Sequence, residues 1–79
     1  MNKMKEKQVA MKAPGWLKDV KNDNVAGAIF ALLFSWAWDS TPKKIDNLRE
    51  YVASQFDDMT DDEIAEVCDL LIEHKVVAQ

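Results

Sequence analysis

Apolar residues recur along this chain at the three- and four-residue spacing of amphipathic helices. The segment AGAIFALLFSWAWD, Ala26 to Asp39, is apolar all round and carries no charge before its last residue. It predicts a first helix from about Asn24 to Trp38, with Asp23 or Asn24 as the N-cap. On a helical wheel its large side chains fill two nearly opposite faces, with small residues between them. One face holds Val25, Ile29, Leu32, Leu33 and Trp36, the other holds Phe30, Phe34 and Trp38, and the small residues are Gly27, Ala28, Ala31 and Ser35.

A second helix is predicted to begin in the segment STPKK. Thr41 is a suitable N-cap, and Pro42 suits the first helical position, where its missing N–H has no intrahelical partner. The apolar residues that follow are spaced three, four and four apart, as one helical face requires. This stripe consists of Ile45, Leu48, Val52 and Phe56.

A third helix is predicted to begin at the segment TDDE, where Thr60 and Glu63 have the spacing of a capping box. Its apolar stripe is Ile64, Val67, Cys68 and Leu71, and the segment KVVAQ leaves it as a short extended piece. Near the other end of the chain, Trp16 and Leu17 are expected to pin the segment after Pro14-Gly15 onto the core. The predicted fold is therefore an all-α, three-helix domain over residues 14–79, preceded by a basic, flexible leader over residues 1–13.

The first helix has more apolar surface than the other two can cover, because each of them offers a single stripe. One uncovered face exposes a few hundred Å², worth several kcal/mol at about 25 cal/mol per Å². That is comparable with the whole stability of a domain this small. We therefore predict that Phe30, Phe34 and Trp38 form an association surface. A second copy covers it in a homodimer, or a different protein covers it. The alternative is that the leader and tail fold over this face.

Charge is distributed unevenly within the net charge of −4. Residues 1–22 hold six lysines against two carboxylates, a balance of +4, and residues 23–79 hold four cations against twelve carboxylates, a balance of −8. A basic arm on an acidic body suits either a solubilising leader or a nucleic-acid contact. The candidate nucleic-acid residues are Lys3, Lys5, Lys7, Lys12, Lys43, Lys44 and Arg49.

The third helix carries an acidic face opposite its apolar stripe, with Leu70 among the carboxylates. Eight carboxylates lie between residues 57 and 73 without a lysine or arginine. Three interpretations stay open: a solvated face, a protein-binding face with Leu70 as the apolar anchor, or mimicry of a nucleic-acid backbone. The candidate contacts for a protein partner with a basic surface are Glu63, Glu66, Asp69, Leu70 and Glu73.

Signatures of catalysis are missing from the sequence. The sole histidine, His74, lies six positions from the sole cysteine, Cys68, well off the same helical face. One histidine and one cysteine fall short of the usual four metal ligands, and DDMTDDE lacks the central glycine of a calcium loop. No glycine-rich phosphate loop is present. We therefore expect no enzyme, no cofactor, no metal site and no small-molecule substrate.

Sequence features also bear on location. The apolar run from Val25 to Trp38 covers 14 residues, fewer than the roughly 20 that span a bilayer. The N-terminal segment MNKMKEKQVAMKA lacks the apolar stretch of a secretory signal. A single cysteine excludes an internal disulfide framework and fits a reducing compartment. We expect a cytoplasmic protein with no membrane contact.

The order of these elements is similar to a known family pattern. The segment AIFALLFSWAWDSTPKKIDNLREYVASQFDDMTDDEIAEVCDLLIEHKVV, residues 28–77, resembles the winged-helix/helix-turn-helix module at the front of phage and plasmid replication proteins and related regulators. The resemblance implies that Thr60 to Val77 form a third helix and a first wing strand. Two features depart from that pattern: the third helix is acidic, so it would repel DNA phosphates, and the sequence ends at Gln79, before a full two-stranded wing.

These observations favour a small, non-enzymatic regulatory or inhibitory protein, of the kind encoded by phages and mobile elements. It is expected to act by protein–protein binding through the acidic face of the third helix and the apolar first helix. The alternative is a nucleic-acid-binding accessory factor for replication or transcription, using the basic N-terminal arm and the second helix.

Overall fold

Three α-helices make up the domain in the computed structural model, which describes residues 13–78. They are α1 (Asp23–Trp36), α2 (Leu48–Gln55) and α3 (Asp61–Glu73), and a short 3-10 helix (Gly15–Asp19) precedes them. The predicted all-α, three-helix class is confirmed. No strand forms within residues 13–78, where a single parallel β-bridge joins Lys43 to Val77. Nearly all of the predicted leader lies outside the described residues.

Helix α1 begins one residue earlier and ends two residues earlier than its sequence pattern predicts. Its N-cap is Asn22, whose side-chain oxygen accepts hydrogen bonds from the backbone N–H of Asn24 at 2.8 Å and of Val25 at 3.1 Å. The prediction of Asp23 or Asn24 as the cap was therefore wrong. The helix stops at Trp36 because Ala37 adopts the left-handed conformation, with φ at 49°.

Helix α2 begins six residues after the predicted position, so the prediction of Thr41 and Pro42 as its start was wrong. The cause is pairing with the C-terminal segment, which holds this stretch extended. The Lys43 N–H donates to the Val76 carbonyl oxygen at 2.8 Å, and the Ala78 N–H donates to the Lys43 carbonyl oxygen at 2.9 Å. The helix starts only after Asn47, whose φ of 51° turns the chain.

Helix α3 matches its prediction. The Thr60 hydroxyl accepts from the Glu63 N–H at 3.2 Å, and the Glu63 carboxylate accepts from the Thr60 N–H at 3.1 Å, which completes the capping box. Its apolar stripe is buried as predicted, with Ile64, Val67, Cys68 and Leu71 all in the core.

The core lies where α3 packs against both α1 and α2. Leu17 of the 3-10 helix is buried and Trp16 is partly buried against the core, which confirms that this segment packs on the core. Val76 and Val77 are buried as well, in the extended piece after α3. In the predicted stripe of α2, Leu48 and Val52 are buried, and Ile45 and Phe56 are partly covered. The remaining buried residues come from α1: Val25, Ala28, Ile29, Leu32 and Leu33.

Candidate protein-interaction surfaces

The outward side of α1 is an uncovered apolar surface, which we call the α1 seam: Gly27, Phe30, Ala31 and Phe34. Phe30 is 45% exposed and Phe34 is 56% exposed, and they are the large hydrophobic side chains that stand out to solvent among residues 13–78. Their ring centroids lie 6.3 Å apart at an interplanar angle of 20°. Gly27 and Ala31 are exposed too. Most of the second apolar face predicted for this helix is thus left open by residues 13–78.

No charged residue interrupts the seam, since Asp23 begins the helix and the next charge along the chain is Asp39. A Cβ built on Gly27 would meet no neighbouring atom within 4 Å. Space therefore lies directly above the small residue at the N-terminal end of the seam. This region continues into a groove of about 240 Å³ between α1 and the segment before α3, lined by Asp23, Asn24, Gly27, Ala28, Phe56, Asp58 and Met59.

Trp38 does not share the face of Phe30 and Phe34. The left-handed turn at Ala37 ends the helix, and the Trp38 N–H donates back to the Leu33 carbonyl oxygen at 3.0 Å. The indole N–H of Trp38 donates to the Thr41 carbonyl oxygen at 3.2 Å, and its ring packs partly against the core. The predicted placement of all three aromatic residues on one helical face was therefore wrong for Trp38.

Glu63 is engaged within the domain. One carboxylate oxygen accepts the Thr60 N–H, and the other accepts the side-chain amides of Asn22 and Asn24, each at 3.1 Å. These hydrogen bonds, first from the Thr60 backbone N–H and then from Asn22 and Asn24, lower the pKa of Glu63. The residue predicted to meet a partner thus fastens the start of α3 to the start of α1.

The other predicted partner contacts remain on the outer side of α3. Glu66, Asp69 and Glu73 are exposed, and Leu70 is half-buried. Leu70 and Glu66 border a groove of about 360 Å³ between α3 and the 3-10 helix. The Trp16 ring stacks on His74 with centroids 3.9 Å apart and planes 3° from parallel. The rest of the groove is lined by Asp19, Val20 and Lys21.

Trp16 and His74 are site residues that the sequence does not reveal. Trp16 was expected to anchor the N-terminal segment, and His74 was considered only as a catalytic or metal-binding residue. Their pairing joins two ends of the domain, and no local spacing encodes it. Together with Leu70 they line the groove, whose polar lining consists of Asp19, Lys21 and Glu66.

The predicted nucleic-acid residues are divided by the structure. Lys3, Lys5, Lys7 and Lys12 lie outside the described residues. Lys44 and Arg49 are exposed, at the approach to α2 and in its first turn. The Lys43 ammonium lies 5.5 Å from the centroid of the Trp36 ring, a distance at which cation and ring attract each other.

Cys68 is buried in the core, as its apolar neighbours predict. Burial raises the pKa of its thiol, the nearby Arg49 lowers it and Asp69 raises it further. Within residues 13–78 no group of three or more histidine, cysteine or carboxylate side chains is placed to hold a metal ion. None of the helices described has the length and apolar character needed to cross a bilayer.

Comparisons with known proteins identify no relative of this chain. No family model matches the chain, no curated protein matches it and no solved structure matches it.

Proposed function

We propose that this chain is a small, non-enzymatic protein-binding domain with a regulatory or inhibitory role. It associates with a second copy through the α1 seam and presents the acidic outer side of α3 to a protein partner with a basic surface. The observation that carries the proposal is the exposure of Phe30 and Phe34, side by side on a helix that carries no charge after Asp23, its first residue. Aromatic side chains are enriched in the cores of protein–protein interfaces relative to the rest of the protein surface.

The expected strength of self-association follows from the exposed area. With about 200 Å² for a whole aromatic side chain, the two exposed rings offer about 200 Å² per copy. Burying both pairs in a dimer yields about 10 kcal/mol at 25 cal/mol per Å². Losing the freedom of separate molecules costs about 4–15 kcal/mol. At the low end of that cost the balance favours the dimer by about 6 kcal/mol, which corresponds to a dissociation constant of tens of micromolar, so the expected dimer is weak and reversible.

The acidic side of α3 supplies the second half of the proposal. Glu66, Asp69 and Glu73 stand exposed around Leu70, and Trp16 extends the apolar floor of the neighbouring groove. Carboxylates at the rim of an apolar anchor favour a partner with complementary positive charge, and they accelerate its encounter. The aliphatic stem of a lysine or arginine can lie on such a floor while its charged end meets the carboxylates.

Sedimentation equilibrium tests the self-association. Wild-type protein is compared with the double variant Phe30→Ser/Phe34→Ser, and Gln55→Ser on the exposed side of α2 serves as the control. The wild type and the control are expected to gain mass with concentration, while the double variant stays monomeric. A wild type that remains monomeric at millimolar concentration would contradict the proposal.

The partner is tested by capture from host extract with wild-type protein and with Leu70→Glu. We expect loss of a specific protein with the Leu70→Glu variant and retention with Phe34→Ser, because the two surfaces lie on different helices. Specific, nanomolar binding of duplex DNA at physiological salt that disappears when residues 1–12 are removed would instead support the nucleic-acid alternative. The winged-helix resemblance stays a prediction.

A further inference from the structure

We infer that two copies pair antiparallel through the α1 seam, so that each phenylalanine packs on a small residue of the other copy. Phe34 then lies against Gly27 of the second copy, and Phe30 lies against Ala31 of the second copy. The inference rests on the proposed self-association and adds the register and orientation of the interface.

The seam has the spacing of a helix-pairing stripe. Its residues occupy positions i, i+3, i+4 and i+7 of α1, which lie along one narrow line of the helix surface. Large and small side chains alternate along that line, from Gly27 to Phe30 and from Ala31 to Phe34. Such alternation lets a facing helix place its bulky residues where this one is thin.

Two-fold symmetry determines which positions meet once the axis is placed. Identical subunits in a dimer use the same patch on both sides of a two-fold axis. If the axis crosses the seam between Phe30 and Ala31, these two positions face each other across the interface. Gly27 and Phe34 are also equally far from that axis, so they meet in the same way. Every large residue of the seam therefore faces a small one.

The parallel arrangement lacks this fit. There each residue faces its own copy, which sets Phe34 against Phe34 and leaves Gly27 against Gly27. Interfaces, like protein interiors, lose stability through both crowding and voids. The parallel arrangement would also bring the two Asp23 carboxylates to the same end, whereas the antiparallel one separates them along the pair.

Room exists above the small residues for an incoming ring. Gly27 is exposed, and a Cβ at that position would meet nothing within 4 Å. Between Asp23 and Asp39 the chain carries no charge, so the four seam residues meet without an ionised group among them, and the carboxylates of Asp23 and Asp58 lie in the groove beside Gly27. A second copy therefore supplies what the seam lacks, namely rings for its small residues and small residues for its rings.

A mixing experiment tests this register. The variants Gly27→Phe and Phe34→Ala are prepared separately and then combined in equal amounts. Alone, Gly27→Phe would set its introduced ring against Phe34 of the second copy, and Phe34→Ala would lose the ring that covers Gly27. Each is expected to dimerise at least about tenfold more weakly than wild type, which corresponds to about 1.4 kcal/mol. In the mixture both contact positions again pair large with small, so the heterodimer regains an affinity near that of wild type.

Native mass spectrometry measures the outcome, because the heterodimer differs in mass from both homodimers. Circular dichroism melting confirms that each variant is folded. The pair Ala31→Phe and Phe30→Ala provides a second, independent mixture at the other contact position. A wild-type dimer accompanied by two mixtures that stay as monomeric as their components would overturn the antiparallel register alone. A monomeric wild type would overturn the proposed self-association itself.

Discussion

The two sides of α1 have similar amino-acid chemistry and opposite surroundings. On the inner side, Val25, Ile29 and Leu33 are wholly buried against α3 and the segments that flank it. On the outer side, Phe30 and Phe34 keep about half of their surface in contact with solvent, at 45% and 56% exposure. The inner side is buried by other parts of the domain. The exposed half of the outer aromatic surface is covered by nothing within residues 13–78.

The difference shows what a three-helix domain of this size can and cannot cover. Helices α2 and α3 each bring one apolar stripe: α3 packs against the inner side of α1, and the stripe of α2 is used against α3. A helix that is apolar all round needs neighbours on every side. The outer side of α1 thus represents surplus hydrophobic surface, and its alternating sizes are what a second molecule of the same chain would fit.

The largest expected effect is the difference in stability between a substitution on the inner side of α1 and one on the outer side. Ile29→Ala leaves a cavity in the core, so we expect the free energy of unfolding to fall by about 2–5 kcal/mol. Phe34→Ala removes an exposed ring, so the free energy of unfolding at low micromolar concentration should change by no more than about 0.5 kcal/mol. Urea unfolding followed by circular dichroism measures both. Equal losses for the two variants would show that the outer side is covered within the chain.

The turn that removes Trp38 from the outer side should respond to glycine. Ala37 has φ at 49°, a left-handed conformation that costs about 1–2 kcal/mol for a residue with a Cβ. Ala37→Gly is therefore expected to raise the free energy of unfolding by up to about 1 kcal/mol. In the matched control Ala53→Gly, within the regular helix α2, the same change should lower it by about 1 kcal/mol. Two losses of equal size would mean that α1 continues through Trp38 and that the outer side includes this ring.

Acid should weaken the hydrogen bonds that Glu63 makes between the start of α3 and the start of α1. Of the predictions made here, this one has the smallest expected effect on stability. The pKa of Glu63 is lowered in the fold from its ordinary value of 4.5 by the Thr60 N–H and by the amides of Asn22 and Asn24. A group with a lowered folded pKa stabilises the protein above its unfolded pKa, and that stability is lost as pH falls through the folded value. We expect the melting temperature to decline below about pH 4.5, and Glu63→Gln to reduce the slope. If the melting temperature of the variant falls with pH as steeply as that of the wild type, the decline comes from other carboxylates.

Local signals in the sequence predicted the parts of the fold that depend on neighbours within one turn. The capping box of Thr60 and Glu63 is such a signal, and the buried stripe of α3 is another. The extended path of Pro42 and Lys43 depends instead on pairing with Val76 and Ala78, far along the chain. Local cap chemistry favoured a helix there, and the long-range pairing prevailed.

The candidate surfaces divide in the same way. The outward position of Phe30 and Phe34 follows from helical periodicity, which turns each of them about 100° away from the buried residue before it, Ile29 and Leu33 respectively. Trp38 could not be placed, because Ala37 offers no sign of a left-handed cap where glycine would be usual. The stacking of Trp16 on His74 is a tertiary contact that no spacing announces.

The most direct test of the outer side as an interface is a pair of ¹H–¹⁵N NMR spectra, recorded at low micromolar and at millimolar protein concentration. The chain has two glycines, and their amide signals fall in a distinctive region of the spectrum. Gly27 lies in the α1 seam and Gly15 lies in the 3-10 helix, so one reports on the interface and the other is an internal control. We predict that the Gly27 signal shifts with concentration while the Gly15 signal stays in place. A Gly27 signal that is independent of concentration up to the millimolar range would contradict the account.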